Sequence, residues 1–246
     1  MAEINIVAFI KAVENKYFDD FIKKGQVCFN TVKWFREYEK SNQNVGDSYE
    51  GVEIACASGM TISFADPILT YSSEEELNNQ MAKKDWKVLG IAQDFKLFDS
   101  TYDANIFSLY AITSSIYDGS IEEHLIPKKF IEEFSNHRFI LIVNPRIFLA
   151  KMKNALRQQY RSMKYGMVKY YKFDEQLQSN LTCFDKKDKF AYQNEFRIVS
   201  ADCNAERKIW NIGSLQKICY EMQPRSQMFK ITNDKVELII RMNEKQ

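Results

Sequence analysis

Apolar positions along this chain recur mostly at period two, the spacing of a half-buried strand, with a few stretches at helical spacing. INIVAFI (4–10) is a β-branched apolar run of strand length, and QVCFN (26–30) is a shorter one. Strands are expected about Ile54 and Ile62, and over 105–114, 138–145, 166–173, 190–200 and 235–242. Between the first two runs, Phe18, Phe21 and Ile22 recur at helical spacing, Asn15 can cap the helix and Gly25 stands where it would stop. Further helices are expected over 34–40, over 127–136 where Pro127 opens the segment, and over 146–163, the longest helical pattern. SNQNVGDSYEG (41–51) reads as a polar loop, and Ser73 with Glu76 as the cap of an acidic segment. The pattern predicts an α+β fold in a single domain, residues 1–246, with a sheet at its centre and helices outside.

Composition narrows the class. Of 246 residues, 45% are hydrophobic and 14% aromatic, enough to build a sizeable core, and 27% are charged, as in a soluble globule. A net charge of +1 gives no global pull towards nucleic acid or membrane, so any basic surface must be local. The start of the chain lacks the basic region of a secretory signal, and no apolar run approaches the ~20 residues of a membrane span. Five widely spaced cysteines, an odd number with no CxxC pair, are expected to be reduced thiols, which places the protein in the cytoplasm. No acidic spacing matches a calcium loop, so no metal is expected. His124 and His137 have no nucleophile beside them in sequence, which argues against hydrolase triads.

The candidate chemistry lies in FAYQNEFRIVS (190–200). Read as one strand, Ala191, Gln193, Glu195, Arg197 and Val199 share a face, and Tyr192, Asn194, Phe196 and Ile198 share the other. The row Gln193–Glu195–Arg197 is either the wet side of an amphipathic strand, with Glu195 and Arg197 paired across one pleat, or a reaction centre. Arg36, in WFREYEK, can clamp a diphosphate through its planar guanidinium, or pair with Glu37 or Glu39 at a solvated helix end. Asp47 and Glu50 can hold the loop they lie in or bind a metal. Residues 146–172 interleave basic side chains with tyrosines, which fits a nucleic-acid track or the solvated face of an amphipathic helix.

The Gln-x-Glu element formed by Gln193 and Glu195 resembles that of ADP-ribosyltransferases. The segment VAFIKAVENKYFDDFIKKGQVCF (7–29) is similar to their opening, a strand followed by a helix that ends at Gly. NIFSLYAITS offers Ser108 and Tyr110 on one face, similar to their Ser- or Tyr-bearing middle strand, and the order of the three pieces agrees. In the DNA-modifying branch the first strand carries a histidine. Here Phe9 stands near that place, with Lys11 close by.

The resemblance implies a split β-sandwich with peripheral helices and NAD as substrate. Glu195 would be the catalytic carboxylate, stabilising an oxocarbenium ribose, with Gln193 orienting the acceptor. Tyr110 would stack on nicotinamide, Ser108 would stand beside it, and Phe9, Lys11 and Arg36 would line the cofactor site. Lys186, Lys187 and Lys189, in the loop before Gln193, would hold an RNA or DNA acceptor. The implied role is a toxin or phage-defence effector, with an antitoxin or immunity protein as partner and no membrane attachment. The rival is a non-catalytic nucleic-acid- or protein-binding module, in which the same row is a polar sheet face.

Overall fold

The computed structural model describes residues 5–38, 40, 46–56, 60–64, 87–92, 95–97, 104–114, 122–159, 162–173, 178–201, 206–223, 228–231 and 236–239. The expected cap at Ser73 and Glu76 lies outside them, as do Cys203 and the strand end beyond 239. The first half carries β1 (Asn5–Glu14), β2 (Gln26–Thr31), β3 (Ile54–Cys56), β4 (Met60–Phe64), β5 (Lys87–Ala92), β6 (Phe95–Leu97) and β7 (Ala104–Ser114). Next come β8 (Glu122–Leu125), β9 (His137–Ile142), β10 (Lys164–Met167), β11 (Lys169–Tyr171), β12 (Asp185–Lys187) and β13 (Glu195–Ala201). The last are β14 (Lys208–Asn211), β15 (Cys219–Met222), β16 (Met228–Ile231) and β17 (Val236–Ile239). The helices are α1 (Phe18–Lys24), α2 (Val32–Tyr38), α3 (Lys128–Glu133) and α4 (Pro145–Gln158).

The architecture is mixed, mostly antiparallel sheet with few helices. An eight-stranded sheet runs β10-β13-β7-β1-β9-β15, with β2 also on β7 and β14 on β2. Period-two alternation divides its side chains between two apolar clusters. Phe9, Val13, Phe107, Leu109, Phe196 and Ile198 point to one face, where they meet Phe21 of α1 and Phe148, Met152 and Leu156 of α4. Ala8, Ile10, Tyr110 and Ile112 point to the other, against Phe130 and Ile131 of α3.

The helices end where local chemistry stops them. Gly25 takes φ 63° after α1, the left-handed conformation that glycine adopts without cost. The Asn144 side chain accepts from the Ile147 N–H at 3.0 Å and caps α4, with Pro145 in its first turn.

Two departures from the sequence pattern shape the site. The run 166–173 is not one strand. β10 pairs with β13, whereas β11 lies parallel to β12 in a separate two-stranded sheet, and the Val168 N–H between them donates to the Glu195 carbonyl at 2.8 Å. The run 190–200 is not one strand either. Residues Asp188–Gln193 form a 3-10 turn, and Asn194 at φ 35° swings the chain into β13. The Asn194 side chain donates to the Ala111 carbonyl at 2.7 Å, while its own carbonyl accepts from the Ala111 N–H at 2.9 Å. Asparagine is among the few side-chain-bearing residues that tolerate a positive φ.

The sheet also splits. β1 pairs with β7 at residues 110–114 and leaves it after Ile10, staying with β9 through Glu14. β2 takes up the same edge of β7 only at Ile106 and Asn105. A wedge opens between β1 and β2 at the middle of β7. There the Ser108 carbonyl accepts from the Lys11 ammonium at 2.8 Å. Among the described residues no helix is long and apolar enough to cross a membrane.

Candidate functional site

The wedge leads into a cavity of about 500 Å³. Its walls come from β1, β2, α2, β7 and α3, and Lys186, Gln193 and Glu195 line it as well. Trp34 and Tyr38 stack at 4.4 Å between ring centroids on the α2 side. The size is that of a small-molecule site.

Glu195 anchors a buried ionic network. β13 pairs with β7 so that Glu195 lies opposite Tyr110 and Arg197 opposite Ser108, all four on one face. Ser108 Oγ donates to Glu195 Oε1 at 2.5 Å, and Arg197 Nε donates to the same oxygen at 2.7 Å. Lys186 Nζ donates to Oε2 at 3.1 Å and Arg197 Nη2 at 3.2 Å. Four donors therefore meet a carboxylate that has about four acceptor positions. Arg197 also forks onto Glu50, through Nη1 at 2.5 Å and Nη2 at 2.8 Å, and donates to the Cys183 carbonyl. Arg197 is 2% exposed, Glu50 1% and Glu195 5%, so this is not the wet side of a strand. The Glu195–Arg197 pair across the pleat forms, but in the interior.

Glu50 was legible only as a loop acid. Its turn is held by Asp47, whose carboxylate accepts from the Tyr49 N–H at 3.0 Å and whose carbonyl accepts from the Glu50 N–H at 2.9 Å. Burial raises the Glu50 carboxyl above its usual range, and Arg197 and Lys186 only partly offset that. Burial pushes Glu195 in the same direction. There, however, the charges of Arg197 and Lys186 and the bonds from Arg197 and Ser108 win, holding the carboxyl well below its usual range. Tyr170, whose hydroxyl accepts from the Glu195 N–H at 2.9 Å, has its own ionisation pushed up by burial.

Gln193 and Glu195 do converge, on Lys186 rather than as alternate residues of one strand. Lys186 Nζ donates to Gln193 Oε1 at 2.8 Å. Gln193 Nε2 then faces both oxygens of Glu133 at 3.4 Å and the Tyr192 hydroxyl at 3.4 Å. Lys186 is thus not on a solvent-facing loop, being 4% exposed. Lys187 is buried too, its ammonium 3.3 Å from the Tyr49 ring centroid and 4.2 Å from that of Phe173. Of the three loop lysines only Lys189 is exposed, over the Phe190 ring at 4.6 Å. Lys186 and Lys187, expected to hold the phosphates of an acceptor, are therefore both buried rather than presented to solvent.

The other expected residues divide. Ser108 and Tyr110 line the cavity, with the Tyr110 ring also packed on Phe130 at 4.6 Å. Lys11 lines it as well, and burial lowers its ammonium to about 8, against the pull of Cys28 and Glu195. Phe9 does not. It is fully buried between Phe196 at 4.8 Å and Phe148 at 6.3 Å, a core position. Arg36 is half-buried on α2 and is not among the cavity-lining residues. Among the described residues the lysines and arginines that line the cavity are Lys11, Lys16, Lys186 and Arg207.

Sequence reasoning missed Glu133, Arg207 and His137. Glu133 reaches the cavity from α3, and Arg207 donates to Cys28 Sγ at 3.0 Å. His137 also lines the cavity, its Nδ1 has no hydrogen-bond partner, and burial lowers its pKa, favouring the neutral ring. No local motif marks any of the three. Cys28, Cys183 and Cys219 carry reduced thiols, and burial pushes Cys219 up to about 12. Among the described residues no group of three or more His, Cys, Asp or Glu is placed to hold a metal ion. No protein-family model, curated protein or solved structure matches the chain.

Proposed function

We propose that the protein is an NAD-dependent ADP-ribosyltransferase, with the split-sheet cavity as its NAD site and a macromolecule as acceptor. The observation that carries this reading is the placing of Glu195 on the floor of that cavity, fixed by Ser108 and Arg197 and flanked by Tyr110. Cleavage of the nicotinamide–ribose bond builds positive charge on the ribose. A carboxylate held ionised and immobile beside it stabilises that charge without reorganising. A ribose hydroxyl would donate to Glu195 Oε2 in place of Lys186, whose 3.1 Å bond is the longer of that ammonium's two contacts in the network.

A second reading is favoured by the completeness of the Glu195 bonding. All its acceptor positions are taken from within, as in a structural ion cluster that ties the 47–50 turn to β13. In that case the cavity belongs to a binding module without chemistry.

Nicotinamide release from labelled NAD separates the two. The transferase reading expects release by the purified chain and a drop of roughly 100- to 1000-fold in Glu195→Gln. A folded Glu195→Gln protein with undiminished release sinks it, and a wild-type chain that releases none favours the structural cluster.

A further inference from the structure

Two carboxylates line one cavity and are joined by a continuous polar chain, Glu195–Lys186–Gln193–Glu133, yet their surroundings are opposite. Glu195 is saturated by donors. Glu133 is half-buried at the end of α3, and its contacts from Gln193 are long, at 3.4 Å to each oxygen. With Tyr192 as a further donor, the Glu133 carboxylate still has acceptor capacity to spare. Resting on the transferase reading, we infer that Glu133 is the general base that takes the proton from the acceptor.

The step balances without any further reagent. The bond from ribose C1′ to the nicotinamide nitrogen breaks, and its electron pair leaves with nicotinamide. The acceptor, a hydroxyl or an amine, supplies the pair for the new bond to C1′, and its proton passes to the Glu133 carboxylate. Glu195 is unfit for that last task, because a carboxylate held ionised by two cations is a poor proton acceptor. Glu133 is fit for it. Burial raises its carboxyl above the usual range, only partly countered by bonds from Tyr192 and Gln193 and by the charges of Lys186 and Lys129. A pair of carboxylates driven in opposite directions by their settings is the pattern that divides electrostatic and proton-transfer roles. Gln193, the amide expected to orient the acceptor, would instead orient the base: its carbonyl is held by Lys186 and its NH2 is turned to Glu133.

The groups facing Glu133 are Lys129 on its own helix, Tyr192 and Gln193 of the 3-10 turn, and Lys186 of β12. His137, which lines the same cavity with its pKa lowered by burial, and Glu50, raised by burial in the Arg197 network, also titrate on the acid side, so the limb is assigned to Glu133 by its loss in Glu133→Gln.

The test uses the full chain, NAD labelled in its adenylate half, and total RNA, sheared DNA and extracted protein as separate acceptors. In Glu133→Gln, transfer should fall roughly 100-fold, while the affinity for NAD, read by equilibrium dialysis, is retained. The wild-type rate should rise with pH through a limb lying above the ordinary glutamate range, and that limb should vanish in Glu133→Gln. Glu133→Asp, which keeps the carboxylate, should recover part of the rate together with the limb. Full transfer by Glu133→Gln, a limb that persists in it, or a parallel loss of NAD affinity overturns the role of Glu133 and leaves the transferase reading standing. A wild-type chain that neither binds nor consumes NAD overturns both.

Discussion

Arg197 holds two buried carboxylates at once, Glu50 and Glu195, with Lys186 as a second cation on Glu195. Ion pairs of this kind add little net stability as built, but removing one partner strands the others without water. Arg197→Met is expected to cost about 3–5 kcal/mol, read from the denaturant midpoint. A loss below about 1 kcal/mol would mean that solvent reaches the pair. Lys11 gives a second expectation, through pH. Its pKa is lowered from 10.5 to about 8 on folding, so between those values the unfolded chain holds more protons. Stability must then rise with pH across that window, and below it the penalty is constant. Urea midpoints from about pH 7 to 10 should climb in the wild type relative to Lys11→Met, and a constant gap between the two contradicts the lowered pKa. At this scale the sequence told half the story. Glu195 and Arg197 are neighbours on a strand and their pairing was legible. Glu50 meets Arg197 across 147 residues of chain, and no local pattern reports such a partner.

Elements were legible where apolar periodicity and a stop signal agreed. β1, β2, β7, β9 and α4 form within the stretches their patterns mark, although β9 ends at Ile142 and α4 at Gln158, and Gly25 ends α1 as expected while Asn15 lies in a 3-10 turn and does not cap it. Four strands of four residues each, β8, β14, β15 and β16, carry too few residues to show a period and went unseen. The run at 190–200 failed for a different reason. Its alternation is real from Glu195 onward, but a single left-handed Asn194 resets the chain, and composition alone does not mark that residue among other asparagines. Gly25 supports a prediction at this scale. Its φ of 63° excludes most side chains, and a Cβ there would collide with the Gly213 carbonyl oxygen. That same contact joins the α1–β2 corner to residues after β14, with Ile212 N–H donating to the Gly25 carbonyl at 3.0 Å. Gly25→Ala should therefore destabilise by more than about 1 kcal/mol in thermal or chemical unfolding. It should also loosen β2, which carries Cys28 and Asn30 into the cavity wall, so ligand affinity should fall along with stability. A variant as stable as wild type would mean that the corner opens freely.

The distribution of charge over the whole molecule decides which basic surface can serve the cavity. A net charge of +1 leaves only local fields to hold a nucleic acid. The exposed Arg146, Lys153 and Arg157 lie on α4, whose apolar stripe packs with Phe196 and Ile198. Those residues alternate with Glu195 and Arg197, so α4 covers the face of the sheet opposite the ionic network. The α4 part of the basic stretch 146–172 is thus on the face opposite Glu195, whereas its β11 part adjoins Glu195 through Tyr170. Lys129 and Lys189 are better placed. Lys129 is 4.0 Å from the Tyr192 ring and Lys189 is 4.6 Å from the Phe190 ring, both on the 3-10 turn that carries Gln193 to the cavity. If the acceptor is RNA or DNA, its phosphates meet these two lysines, and transfer should fall steeply as salt rises from about 50 to 200 mM. Reversing them together, Lys129→Glu with Lys189→Glu, should lower transfer and flatten the salt dependence by roughly one unit of log–log slope per lysine. Reversing Lys153 and Arg157 should change neither. Transfer that depends on the α4 pair, or that is indifferent to salt and to all four residues, places the acceptor elsewhere and points to a protein side chain in place of a phosphate backbone.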